Sequence, residues 1–181
     1  MPTITRTWLA FAAIGTGLIH FALVIGSPLA LGLVLAALGL VEFGWGVLTF
    51  ARETLVAPRV ALVVALVPVV GWALLLVTSS VSEAPELAAS FAFLPLAVAS
   101  VFELFAVAVL GVHLRRGRDP EAVPVFPSVF RYLLGLAVGA VVVAGLTTPA
   151  LAATEAGLFS SPHGETQTDE PYVLNLPEHG H

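Results

Sequence analysis

The sequence predicts an all-α integral membrane protein, five transmembrane helices followed by a flexible polar C-terminal tail. Three observations predict it. The 181 residues are 58% hydrophobic and only 10% charged, whereas soluble domains carry about 25% charged residues; the mean hydropathy is +0.99. Five apolar runs, 8–26, 29–51, 60–77, 91–114 and 132–153, each approach the roughly 20 residues that a helix needs to cross a bilayer. Length decides for helix, because a spanning strand needs only about 10 residues. Finally, all seven basic residues are arginine, at positions 6, 52, 59, 115, 116, 118 and 131, and five spans place every one of them on the same side.

The first run leads directly into a second span and lacks a small-residue cleavage site, so it reads as a helix and not as a removable signal. Gly26-Ser-Pro28 makes a tight hairpin to the second run, which carries Glu42 at its middle among Gly39, Gly44 and Gly46. Pro58 opens the third helix at its first turn, where a missing N–H costs nothing, and Pro68 inside that run predicts a kink. A polar loop over 78–90 holds Glu83, Pro85 and Glu86 and leads to the fourth run, with Glu103 at its middle. A second long loop, 117–128, contains Pro120, Pro124 and Pro127. On the fifth run Gly135 and Gly139 admit a close neighbour, read as a helix of the same bundle and not a second chain. This run also imitates a secretory signal, with Arg131, an apolar core and Ala150-Leu-Ala152, but an ordinary last helix is the preferred reading.

The bundle therefore takes residues 1–153 and a polar extracytoplasmic tail takes 154–181. The tail is expected to be largely flexible, with Tyr172–Leu176 able to dock on the bundle or on a partner. The arginines set the orientation. By the positive-inside rule the N-terminus is cytoplasmic and the C-terminus lies outside the cell membrane. The opposite side receives Glu83, Glu86, Glu155, Glu165, Asp169, Glu170 and Glu178 and no basic residue.

Several function classes drop out. The chain has no cysteine, so disulfides and thiolate sites are absent, and Met1 is its single methionine, which disfavours a thioether site for cuprous ion. It has no basic patch for nucleic acid. No phosphate-binding loop, dinucleotide fingerprint, HExxH pair or serine elbow is present, so an enzyme is the least expected class.

What remains is a small set of polar residues at depth. Glu42 and Glu103 both fall near the bilayer midplane, where an ionisable group needs a partner, a water-filled cavity or a cation. Two carboxylates meeting there would not both stay ionised without a cation between them, which suits a proton relay or a cation site. The bland alternative is two separate neutral acids, each bonded to a helix carbonyl or a threonine. His20, with Thr16 and Gly17, forms a short polar stripe on the first helix. Counting about 1.5 Å per residue puts His20 roughly 10 Å outward of Glu42, too far to share an ion without help. That spacing suggests either a relay from the outer surface through His20 and water to Glu42, or a satisfied core histidine that bonds a neighbouring helix. His113 sits beside Arg115 and Arg116 and reads as an interfacial anchor. In the tail, His163-Gly-Glu165 and His179-Gly-His181 place side chains two residues apart, so His163, Glu165, His179 and His181 are candidate ligands. Nitrogen and oxygen donors without sulfur favour zinc or cupric copper.

Aligning Glu42 with Glu103 also aligns His20 with Trp72, which suggests a parallel repeat of two hairpins about an axis along the membrane normal. In that case the second and fourth helices face each other and their glutamates meet. The pattern Gly17-Leu-Ile-His20, Trp72, Phe102-Glu-Leu104 and Thr148-Pro-Ala-Leu-Ala-Ala-Thr-Glu-Ala-Gly157, followed by Pro162-His-Gly164, resembles a group of small actinobacterial multi-pass membrane proteins. The resemblance implies the fold and an envelope location, and no activity or site residue. Two functions remain in view. One is a membrane protein that binds or passes a cation, a divalent metal or a proton, through the tail, His20 and the glutamates. The other is a non-catalytic accessory subunit or assembly factor, partnered by a larger membrane complex or by further copies of itself.

Overall fold

A computed structural model describes residues 1–52, 54–81, 92–116 and 129–158. Those residues form five long apolar helices, α1 (Thr3–Val24), α2 (Leu29–Ala51), α3 (Pro58–Val81), α4 (Phe93–Arg116) and α5 (Val129–Ala152), then a one-turn helix α6 (Glu155–Leu158). There is no strand among them. This is a multi-pass, all-α membrane protein.

Prolines mark the helix starts. Pro2 and Pro28 immediately precede α1 and α2, and their carbonyls accept from Arg6 and Gly32, so each first turn closes at once. Pro58 is the first residue of α3, where its fixed φ suits a helix and its missing N–H has no partner to lose. The helix then continues without interruption through Pro68. Between α1 and α2 the chain turns at Gly26, whose φ of 85° lies in the left-handed region open to glycine. The Ser27 hydroxyl donates to the Leu23 carbonyl at 2.6 Å, satisfying one of the open carbonyls at the end of α1.

The five long helices are not equivalent. In α1, 61% of the central window is buried, against 6% in both α3 and α5. The reason is that α1 is the axis of the bundle, with α2, α4 and α5 packed around it and α3 laid on α4. Lipid removes the hydrophobic incentive for helices to associate, so contact depends on how closely backbones approach. The buried face of α1 meets that need with Ala10, Ala12, Ala13, Gly15 and Gly17. Opposite, a Cβ on Gly39 would come within 2.9 Å of the Gly17 carbonyl oxygen, and one on Gly17 within 2.8 Å of the Gly39 oxygen. The pair of glycines on α5 receives α1 as well. The Trp8 indole lies over Gly139 and donates to the Gly135 carbonyl at 2.8 Å.

The described residues continue past 153 into α6. Thr154 is buried and caps α6, its hydroxyl donating to the Leu151 carbonyl at 2.7 Å and accepting from Gly157 N at 3.3 Å. The short helix sits across the end of α1, with Glu155 against Gly26. The remainder of the expected tail, 159–181, lies outside the described residues. The surfaces of α2, α3 and α5 turned away from the bundle carry Leu33, Leu40, Val63, Val67 and Val141 in the open, as a lipid environment requires.

The glycine contacts make a direct prediction. Gly39→Ala should lower stability by about 1–3 kcal/mol, because the new methyl meets backbone that has no room to yield. Gly44→Ala, where a Cβ meets nothing within 4 Å, should be neutral or slightly stabilising. Thermal unfolding of both variants in detergent checks the contrast.

Candidate functional site

The crossing of α1 and α2 decides where His20 and Glu42 lie. With Gly17 against Gly39, and with His20 Cβ beside Gly39, His20 stands only about one turn, near 5 Å, outward of Glu42. Side chains on a helix lean toward its N-terminus. The two helices are antiparallel, so His20 leans inward and Glu42 leans outward. They meet. His20 Nδ1 and Glu42 Oε2 lie 2.6 Å apart. The depth count that separated them by about 10 Å is therefore corrected. It measured both residues from the hairpin as if the helices ended level, although α1 stops at Val24 and the link over 25–28 is not helical.

The other ring nitrogen of His20 faces α4. Nε2 lies 3.6 Å from Glu103 Oε1, so one imidazole stands between two carboxylates. His20 is 1% exposed, Glu103 3% and Glu42 6%. One ligand atom from each of the three falls within 4.8 Å of the others, and no second group of this kind exists among the described residues. Glu42 Oε1 and Glu103 Oε1 are buried and accept no hydrogen bond from the protein. Both carboxylates line a cavity of about 70 Å³, whose other walls include Thr16, Trp45, Ala61 and Ala65. Thr16 donates to the Ala12 carbonyl at 3.0 Å, which leaves its hydroxyl oxygen able to accept.

The expected meeting of the two glutamates is thus observed, with His20 of α1 between them. The proposed equivalence of the hairpins is only approximate. α2 and α4 each supply a glutamate, but His20 enters the site while its counterpart Trp72 lines neither the site nor its cavity. The relay reading changes too, since His20 and Glu42 need no water between them. His113 lies ten residues beyond Glu103 on α4, about 15 Å along the axis and outside the cluster. The tail ligands His163, Glu165, His179 and His181 fall outside the described residues. Trp45 was not foreseen. It follows Glu42 by three residues on α2 and so shares its face, and its indole donates to the Val56 carbonyl at 2.6 Å.

Compared with known proteins, the chain matches no protein-family model, no curated protein and no solved structure.

Two carboxylates and an imidazole, all buried, form a linked set, since removing one member leaves another buried without its counterpart. The contributions of His20 and Glu42 to stability should accordingly be non-additive. A double-mutant cycle on His20→Asn and Glu42→Gln should give a coupling of about 0.5–3 kcal/mol, whereas Gly44→Ala combined with either should add simply. A coupling near zero would show that the 2.6 Å contact contributes nothing.

Proposed function

We propose that this chain handles a cation inside the membrane, that its working centre is Glu42–His20–Glu103, and that the cation is a proton. The observation that carries the reading is the position of the imidazole, with Nδ1 on Glu42 and Nε2 turned to Glu103. A neutral imidazole donates through one nitrogen and accepts through the other. A proton presented by Glu103 enters at Nε2 as the Nδ1 proton leaves for Glu42 Oε2, and the ring ends neutral in its other tautomer. The 3.6 Å gap exceeds a hydrogen bond, so a small rotation of Glu103 completes the path.

A divalent metal is the second reading. Three ligand atoms within 4.8 Å of one another are the kind of mixed nitrogen and oxygen set that zinc or cupric ion accepts. Two carboxylates and a neutral imidazole would balance its charge. The histidines of the tail could deliver such an ion, at positions 163, 179 and 181.

Orientation and location belong to the same proposal. Arg6, Arg52, Arg59, Arg115 and Arg131 all stand at the same end of the alternating helices. The positive-inside rule supports placing that end in the cytoplasm, in the cell membrane. A tag following His181 should then be reached by antibody on intact cells, and a tag within 117–124 only after permeabilisation. The reverse pattern would invert the orientation.

A Glu→Gln change keeps shape and hydrogen bonding but removes the acidic proton. In reconstituted vesicles with an entrapped pH dye, Glu42→Gln and Glu103→Gln should each abolish proton movement by a protein that still folds. Metal analysis of the same preparations separates the second reading, because bound zinc or copper lost from both Gln variants would identify a metal centre. Loss only from a variant with His163, His179 and His181 changed to alanine would place the metal on the tail. Wild-type behaviour in every variant would leave a structural, accessory role.

A further inference from the structure

We infer that protons reach the two glutamates from the arginine-bearing end, along water held in the cavity between α1, α2, α3 and α4. This deepens the proton reading above and rests on it.

Apolar clusters lie on both sides of the triad, and the inward one, with Ala61, Ala65, Ala106 and Leu110, borders a cavity that reaches the glutamates. Outward of the triad, Ile19, Leu23, Ala99 and Ala150 are packed with Leu35, Leu96 and Leu151, in a cluster that continues past the triad to Ala12 and Phe102. Inward lies the 70 Å³ cavity. It begins at Glu42 and Glu103 and reaches Ala57, the residue that precedes α3 in the short link from α2. Arg52 and Arg59 flank that link, which places Ala57 at the membrane surface. Glu42 lies ten residues before Arg52, so the cavity spans about 15 Å from surface to midplane.

Its walls are small. Ala61, Ala65 and Ala106 take positions where larger side chains would fill the space. Trp45 also lines the cavity, its indole fixed to the Val56 carbonyl. The next residue, Ala57, takes a φ of 43°, a left-handed conformation that costs an alanine free energy and that tends to mark functional positions.

Water is the occupant that this chemistry selects. A buried water needs about two to four polar partners and at least ~10–15 Å³ of space. Glu42, Glu103 and Thr16 line the inner end of the cavity, and each carboxylate has one buried oxygen without a protein partner. The cavity also lies beside the lightly packed seam between α2 and α3, so an acyl chain is the rival occupant. An acyl chain has no donor for a carboxylate oxygen. A proton arriving along the water is taken up by a carboxylate, and the water that carried it is regenerated.

The absence of cysteine makes this testable with single thiols in sealed vesicles of both orientations. Val129→Cys, at the exposed start of α5, marks the arginine-bearing end, and Leu29→Cys marks the other. Ala61→Cys and Val64→Cys stand in the cavity wall, and Ala99→Cys in the outer cluster. A membrane-impermeant, charged methanethiosulfonate should modify Ala61→Cys and Val64→Cys only from the side on which it modifies Val129→Cys. Ala99→Cys should resist it from both sides. Modification from the Leu29→Cys side would overturn the inference. So would resistance of both wall cysteines to the charged reagent while a lipid-soluble maleimide modifies them, since the seam would then hold lipid. The failures are distinguishable. If Gln at both glutamates leaves proton movement intact while the wall cysteines still react from the arginine side, the proton reading falls and the water-filled cavity stands.

Discussion

How near two helix backbones can come decides whether a histidine and a glutamate meet inside a bilayer. Gly17 and Gly39 let α1 and α2 cross with each glycine's missing Cβ less than 3 Å from the other's carbonyl oxygen. Farther apart, the side chains of His20 and Glu42 would not span the gap, and each would be stranded in an apolar medium at a cost of several kcal/mol. The arrangement of the polar cluster follows from that crossing. It sets Nδ1 on Glu42, turns Nε2 toward α4, and thereby fixes which residue of α4 can join.

A buried ion pair or acid cluster is weak as a source of stability, because desolvation consumes most of what the attraction contributes. Apolar residues of similar size in its place would hold the bundle as well or better. The rest of the interior shows how such packing is done here, with alanine, glycine and leucine around α1 and the Trp8 indole seated on the two glycines of α5. Against that background two buried carboxylate oxygens without protein partners are a standing cost. The arrangement makes physical sense if something transient, a proton or a cation, completes it. The stability that the triad forgoes is supplied by the small-residue helix crossings.

The sequence was sufficient for the architecture. Five runs of the right length in a chain almost free of charge leave no soluble alternative, since every backbone polar group at depth must be satisfied within a helix. Pro58 at the start of α3 and Gly26 in the first turn could be read locally, because they act through their own φ. The two glutamates could be singled out for the same reason, as charges where charge is expensive. Their meeting could be suggested from the repeated hairpin.

The tertiary structure alone decided the site. Residue counting placed His20 and Glu42 about 10 Å apart. It could not register that α1 ends early, that the link over 25–28 is not helical, or that two antiparallel side chains lean toward each other. The centrality of α1 was likewise invisible, because α1 and α3 are both predominantly apolar and only packing separates a buried helix from one in lipid. The cavity has no local signature at all, since alanines at positions 61, 65 and 106 read as ordinary helix formers until four helices stand around the space they leave. Composition and periodicity are properties of one segment and survive in the sequence. Distances between segments depend on how close their backbones come, and that is settled only when the helices pack.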